Sequence, residues 1–371
     1  MRVVIDAWQA GNRSGTGRYV EELIPALAAL DAGLELHAVL PGNQDLSRKL
    51  ADVDPRILRL HPAGRRPWSK AYSMHVGMPG IARRYAAELV HYTANVGELT
   101  SAAGSVLTVH DLSFLEHPEW FAQNRAWYYR AAVPRSARSA RRVIAVSRFT
   151  ADSLLSWLGL PEDRVDVVHN GLSPEFQPAP RAARDAVRNH YGLPERYFLY
   201  VGTLEPRKNI PRLIAAWSSV VRDTACDLVI AGREGWKVGP VRAAAETSPH
   251  RQRIHFPGFV AEEHLPALLS DAVAFAWPSL FEGFGWPPLE AMACGAPVVT
   301  SDTSSIPEIV GDGALTVDPY DEEAIADALR RIAEDETTRD ALREKGRARA
   351  ALFSWDRAAR ETLKTYNKAM A

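Results

Sequence analysis

The segment Phe281-Glu282-Gly283-Phe284-Gly285-Trp286-Pro287-Pro288-Leu289-Glu290-Ala291-Met292-Ala293-Cys294-Gly295 holds the densest set of chemically useful residues in the chain. Gly283 and Gly285 permit a tight loop with exposed amides, and Pro287-Pro288 suit the first turn of a helix. Glu282 then lies in the loop, and Glu290 in the early turn of that helix. On one continuous helix the two carboxylates would point about 80° apart. With a loop between them, both can border the helix N-terminus. Carboxylates accept hydrogen bonds from vicinal hydroxyls, while helix amides favour an anion. Together they fit a ligand with hydroxylated rings and a diphosphate.

A second stretch, Gly202-Thr203-Leu204-Glu205-Pro206-Arg207-Lys208-Asn209, sets two adjacent cations beside a proline-stiffened turn. Arg207 can hold two oxygens at once, and Lys208 supplies a point charge. Cations at a helix start oppose the helix dipole, which argues for an anion there. In Val109-His110-Asp111, His110 can donate to a hydroxyl or take up a proton. Asp111 either orients it or caps the next turn. In Ser14-Gly15-Thr16-Gly17-Arg18-Tyr19, Gly15 and Gly17 let backbone N–H groups approach an oxyanion, or simply make a tight turn. This is no G-x-G-x-x-G dinucleotide fingerprint, since Val20 stands where the last glycine belongs.

These residues need elements to position them. Residues 3–6, 34–40, 89–92, 105–109, 143–146 and 165–168 are apolar runs that predict strands, and 21–30 predicts a helix. The rhythm pauses over 170–180, where prolines and a glycine mark a linker. It restarts with strands at 197–201, 227–231, 253–256, 272–277, 297–300 and 314–317. Helices are expected at 321–334, 338–352 and after Ser354. This alternation predicts an α/β protein of two doubly wound, Rossmann-like domains. Ligands of such sheets bind beyond the carboxyl ends of the strands, so two domains can face one cleft. The expected division is an N-terminal domain over 1–175, a C-terminal domain over 176–353, and a last helix over 354–371.

Composition narrows the class. With 46% hydrophobic residues the chain of 371 residues is too apolar for disorder, and a net charge of −1 supplies no field for nucleic acid. Cys226 and Cys294 lie far apart with no metal-ligand spacing, and read as reduced core thiols. Asp6 interrupts the apolar stretch a signal peptide needs, and no apolar run approaches the ~18 residues of a spanning helix. The expectation is a cytoplasmic chain whose membrane contact, if any, is peripheral.

The motifs above, with Val146-Ser147 and His169-Asn170-Gly171, resemble glycosyltransferase family 4, the retaining glycosyltransferases of the GT-B fold. The similarity spans nearly the whole chain, and it implies that the helix over 354–371 crosses back to the N-terminal domain. The resemblance implies that Arg207 and Lys208 neutralise a donor diphosphate, that Glu282 binds the donor sugar's hydroxyls, and that Glu290 binds the ribose. It implies that amides of Gly283, Phe284, Gly285 and Trp286 meet sugar or phosphate, and that Gly202 approaches the donor. Phe259 and Val260, in Phe256-Pro257-Gly258-Phe259-Val260, are similar to the stretch lining the base, and His110 to a histidine beside the donor sugar. Gly15 and Gly17 would bring the first loop to diphosphate and acceptor. Two departures stand out: Ser14 precedes Gly15 where paired glycines are frequent, and Thr203 follows Gly202 where an arginine is frequent. The second leaves the phosphate charge to Arg207 and Lys208. The form Gly-Thr-Leu-Glu-Pro-Arg-Lys-Asn resembles an O-antigen and capsule subgroup that includes mannosyltransferases, which leans towards GDP-mannose.

The implied reaction retains anomeric configuration by front-face attack, with the cations and helix dipole stabilising the leaving diphosphate. No metal or other cofactor is expected. Asp52-Val53-Asp54 is a D-x-D, but beside Pro55 it reads as a surface turn. Arg125, Arg130, Arg135, Arg138, Arg141, Arg142 and Arg148, with Trp127, Tyr128 and Tyr129, form a stretch without Asp or Glu. It reads either as a solvated helix face or as contact with anionic membrane and a lipid-linked acceptor, as does Arg65-Arg66-Pro67-Trp68-Ser69-Lys70. The competing functions are another GT-B enzyme, a sugar phosphorylase or nucleotide-sugar epimerase, and a non-catalytic nucleotide-sugar-binding subunit.

Overall fold

The computed structural model describes residues 1–12, 14–30, 32–41, 50, 58–61, 75, 77–98, 104–121 and 123–371. The Asp52–Asp54 motif and the Arg65–Lys70 patch lie outside them. The chain divides into two units: Met1–Gly171 with Phe353–Ala371, and Leu172–Leu352.

The first unit holds β1 (Arg2–Asp6), β2 (Glu35–Pro41), β3 (Leu58–His61), β4 (Leu89–Tyr92), β5 (Gly104–Val109), β6 (Arg142–Ala145) and β7 (Val165–Val167). They form one parallel sheet in the order β3-β2-β1-β4-β5-β6-β7. The second unit holds β8 (Tyr197–Val201), β9 (Asp227–Ala231), β10 (Ile254–Gly258), β11 (Ala274–Trp277), β12 (Val298–Ser301) and β13 (Leu315–Val317). These are also all parallel, in the order β10-β9-β8-β11-β12-β13. Parallel strands are covered on both faces, so they read as continuous apolar runs. In β4, β5 and β11 every residue is buried. Every strand expected from sequence forms within two residues of its place. Only β3 (Leu58–His61) went unread, because Leu-Arg-Leu-His at a sheet edge lacks the continuous apolar signature.

Strand order reverses beside β1 and β4 in the first sheet, and beside β8 and β11 in the second. The loops leaving these strand ends are where such a sheet binds ligand. The last helix, Trp355–Met370, is capped by Ser354, whose hydroxyl accepts from the Arg357 amide. It packs on helix Gly15–Ala28 and on β4–β6, within the first unit. Cys226 and Cys294 are both buried free thiols. Among the described residues no helix is long and apolar enough to cross a membrane.

Candidate functional site

In the second unit the stretch after β8 turns through a short 3-10 helix, Pro206–Lys208, into helix Ile210–Thr224. The cations therefore precede the helix rather than crowd its first turn. The stretch after β11 becomes a loop that ends at Gly285, whose φ of 106° suits glycine, before helix Trp286–Ala293. Serines fasten this loop. The Glu282 amide donates to Ser304 Oγ at 3.0 Å, and Ser305 Oγ donates to the carbonyls of Glu282 and Phe284, each at 2.9 Å. The Leu280 amide donates to the Arg207 carbonyl at 2.8 Å, which ties the two stretches together.

Their side chains form one cluster of four charges, in which Glu205, Lys208 and Glu282 are buried and Arg207 is part-exposed. Lys208 Nζ donates to Glu282 Oε1 at 2.6 Å, and Arg207 Nη1 donates to Glu282 Oε2 at 2.9 Å. Arg207 Nε lies 2.6 Å from Glu205 Oε1, which is 4.0 Å from Lys208 Nζ. Burial alone would raise the Glu282 pKa, but Arg207 and Lys208 outweigh it and hold the carboxyl at about 2. Lys208 is pulled below its ordinary value by burial and by Arg207, against the two glutamates. Formal charges cancel within the cluster. Buried ion networks add little stability over apolar packing of the same volume, so this one is expensive unless it serves a ligand.

Trp277, at the end of β11, underlies the cluster. Its ring centroid lies 4.5 Å from Lys208 Nζ, and its Nε1 donates to Glu282 Oε1 at 3.2 Å. Tyr200 stacks on it at 4.8 Å, and a Cβ added at Gly202 would sit 2.7 Å from the indole. Gly202 thus makes room for Trp277. Neither Trp277 nor Glu205 had a role in the sequence reading. Glu205 carried a signal, an acid two residues before a cation pair; Trp277 was hidden in an apolar run.

The other expected residues are distributed over both units. Glu290 is buried at 6% exposure in the second turn of helix Trp286–Ala293, one turn later than expected. Phe284 is buried and packs edge-on against Trp286 at 5.6 Å. Phe259 is exposed, with the Arg233 guanidinium 5.7 Å over its ring, and Val260, the next residue, is buried.

In the first unit, His110 Nε2 is 2.8 Å from the Thr93 carbonyl and so carries the proton in the neutral ring. Burial lowers its pKa. Donation to a hydroxyl is therefore closed to the neutral ring, and Nδ1 offers an acceptor. Asp111 does not orient it; its Oδ1 accepts from the amide and hydroxyl of Ser113 and caps that turn. Tyr19 packs edge-on to His110 at 5.0 Å, and its hydroxyl lies 3.0 Å from Thr108 Oγ1. Gly15 opens helix Gly15–Ala28. A Cβ at Gly17 would fall 1.9 Å from the Asn12 carbonyl oxygen, so backbone packing alone demands that glycine.

The basic stretch also divides. Trp127 is 74% exposed, whereas Tyr128 and Tyr129 turn towards the core. Arg138 and Arg141 donate to the carbonyls of Leu158 and Ala369, and Arg142 pairs with Asp166.

Residues 13–176 match the family described as Glycosyltransferase Family 4, and residues 184–349 match Glycosyl transferases group 1. The chain is 31% identical to O-antigen chain mannosyltransferase B of Escherichia coli, over 95% of this chain and 96% of that one. It is 32% identical to alpha-maltose-1-phosphate synthase of Mycolicibacterium smegmatis, over 96% of each. The solved structure of Anabaena HepE with UDP-glucose superposes with a TM-score of 0.78, at 18% identity, over 99% of this chain and 100% of that one. With its two parallel α/β units, the chain belongs to the GT-B glycosyltransferases of family 4.

Proposed function

We propose that the protein is a retaining glycosyltransferase that moves a sugar from a nucleotide-diphosphate donor to a hydroxyl of a glycan or lipid-linked acceptor. The observation that carries this is the Glu205–Arg207–Lys208–Glu282 cluster beside the strand-order reversal of the second sheet. Mannose is the favoured sugar and GDP the favoured nucleotide. Support for mannose comes from the similarity to the Escherichia coli O-antigen enzyme along nearly its whole length. That relationship also favours cell-envelope polysaccharide as the product.

In this reading a diphosphate shares Arg207 and Lys208 with Glu282. Amides of Gly283, Phe284, Gly285 and Trp286, at the start of helix Trp286–Ala293, supply the remaining positive potential. Glu282 also accepts from sugar hydroxyls, Glu290 from the ribose, and Phe259 and Val260 bear on the base. His110, Gly15 and Gly17 serve the sugar and acceptor side. The bond from the anomeric carbon to phosphate breaks. The acceptor oxygen bonds that carbon on the same face, and its proton passes to the departing phosphate. The cations take the part a metal would otherwise play, so transfer should survive chelation.

A melting panel of GDP-, UDP-, ADP- and dTDP-sugars with EDTA identifies the donor, since ligand at 100 times its Kd adds about 2.7 kcal/mol. GDP-mannose should stand out; a UDP-sugar standing out instead overturns the mannose assignment. Lys208→Ala and Glu282→Gln should each lower transfer at least a hundredfold, or about 2.7 kcal/mol. Near-normal turnover in both overturns the site. The exposed Trp127, with exposed Arg130 and Arg138 on the same helix, fits peripheral binding to anionic bilayers. Flotation with anionic liposomes at low salt tests this, and no binding removes it.

A further inference from the structure

We propose that Trp277 is a positioning residue for this reaction: its ring face carries the Lys208 ammonium while its indole N–H fixes the Glu282 carboxylate. The inference rests on the reading that Lys208 and Glu282 act on the donor.

Three contacts converge. Lys208 Nζ lies 4.5 Å from the ring centroid, within the range where a π face attracts a cation. Trp277 Nε1 donates to Glu282 Oε1 at 3.2 Å, and that same oxygen accepts from Lys208 Nζ at 2.6 Å. Indole, ammonium and carboxylate therefore close a triangle. The surroundings then fix the indole. Tyr200 stacks at 4.8 Å and 11°, Phe275 at 5.8 Å and 15°, and the Trp277 carbonyl accepts from Thr300 Oγ1 at 2.9 Å. Gly202 leaves no side chain in the way, since its Cβ would lie 2.7 Å from the ring. A phenylalanine fills such a stack equally well but has no N–H. The donor is what makes tryptophan specific here.

The consequence reaches both charges. Lys208 faces Glu205 and Arg207 on its own turn and Glu282 from the loop after β11. Burial and Arg207 disfavour its proton, and the two glutamates favour it. The π face adds to the glutamates without adding a negative charge that would repel a diphosphate. Meanwhile the N–H aims one Glu282 oxygen, leaving its orientation independent of Lys208 alone.

Two variants of the full chain separate these effects. Activity is read as nucleoside diphosphate release from GDP-mannose, or from UDP-glucose should the melting panel select it. Trp277→Phe keeps the ring and loses the N–H. It should lower kcat about five- to twentyfold, leave GDP affinity within twofold, and leave the alkaline limb of GDP binding in place. Trp277→Leu loses both contacts. It should lower kcat at least as far and move that alkaline limb down by roughly one pH unit. The inference is overturned if Trp277→Phe keeps kcat within twofold while Lys208→Ala and Glu282→Gln are inactive. It is equally overturned if Trp277→Leu melts early yet shares the wild-type alkaline limb, because that is packing alone. If Lys208→Ala and Glu282→Gln themselves turn over normally, the underlying site reading falls and this inference falls with it.

Discussion

Replacing Glu282 by glutamine keeps its size and removes its charge, so the effect on folding can be worked out from its surroundings. The carboxyl is 9% exposed, so solvent screens it little. It is held at about 2 against an ordinary 4.5. A folded-state value below the unfolded one stabilises the folded chain above the unfolded value, and that stability is lost as pH falls through the folded value. The contribution above pH 5 is roughly 3 kcal/mol, at about 1.4 kcal/mol per pH unit. More than about 1 kcal/mol of it is already gone at pH 3.5. The Glu282→Gln chain should therefore be roughly 3 kcal/mol less stable at pH 7, or about 6–12 °C in Tm for a unit of this size. The gap should shrink to less than about 2 kcal/mol at pH 3.5. Calorimetric melting of both chains at the two pH values reads it directly. A gap of the same size at both pH values refutes the argument, because Glu282 would then not owe its charge to Arg207 and Lys208.

Further outcomes follow from other contacts. Gly17→Ala drives a Cβ to within 1.9 Å of the Asn12 carbonyl oxygen and should cost about 1–3 kcal/mol in a urea titration; an unchanged midpoint would mean the turn yields freely. Tyr366→Phe strips the hydroxyl 2.7 Å from His91 Nδ1 and leaves a buried ring nitrogen unpaired, a loss of about 1–3 kcal/mol by the same assay, against which a change below about 0.5 kcal/mol would count. Because burial holds His110 below its ordinary 6.5, protonation of its ring should depress transfer only under pH 6.5; a His110-dependent acid limb above that value in the pH–rate profile contradicts the buried, carbonyl-tethered ring.

The sequence made the sheets legible because parallel strands are buried on both faces. Tyr197–Val201 is apolar from end to end, and Asp227–Ala231 is apolar and buried after its first residue. Leu58–His61 escaped because an edge strand needs no such run. At the site, residue types were readable but partnerships were not. Arg207, Lys208 and Glu282 each announce a charge, yet only folding brings positions 74 and 75 residues apart into one hydrogen-bonded group. In sequence the adjacent cations suit a diphosphate; in the fold they already hold the Glu282 carboxylate. His110 was flagged by its place after a strand; which nitrogen is spoken for depends on Thr93, a residue of another strand end. Trp277 lay in Ala-Phe-Ala-Trp, where an indole N–H looks like one more core aromatic.

The helix Trp355–Met370 gives this chain an unusual order of assembly on the ribosome. The strands of the first unit are made before Leu172–Leu352, but the helix that packs on β4–β6 is made after it. At 5–20 residues per second, the apolar face it covers waits roughly 10–40 s while Leu172–Leu352 is translated. The intervening unit is contiguous and can fold before the earlier unit receives its covering helix. In topology it is a guest inserted into a host. The host's two ends meet, since a Cβ on Gly171 would lie 2.3 Å from the Trp355 nitrogen. Cutting out the guest and joining Gly171 to Phe353 through a short linker should therefore yield a host that folds alone, whereas residues 1–171 by themselves should expose that face and aggregate.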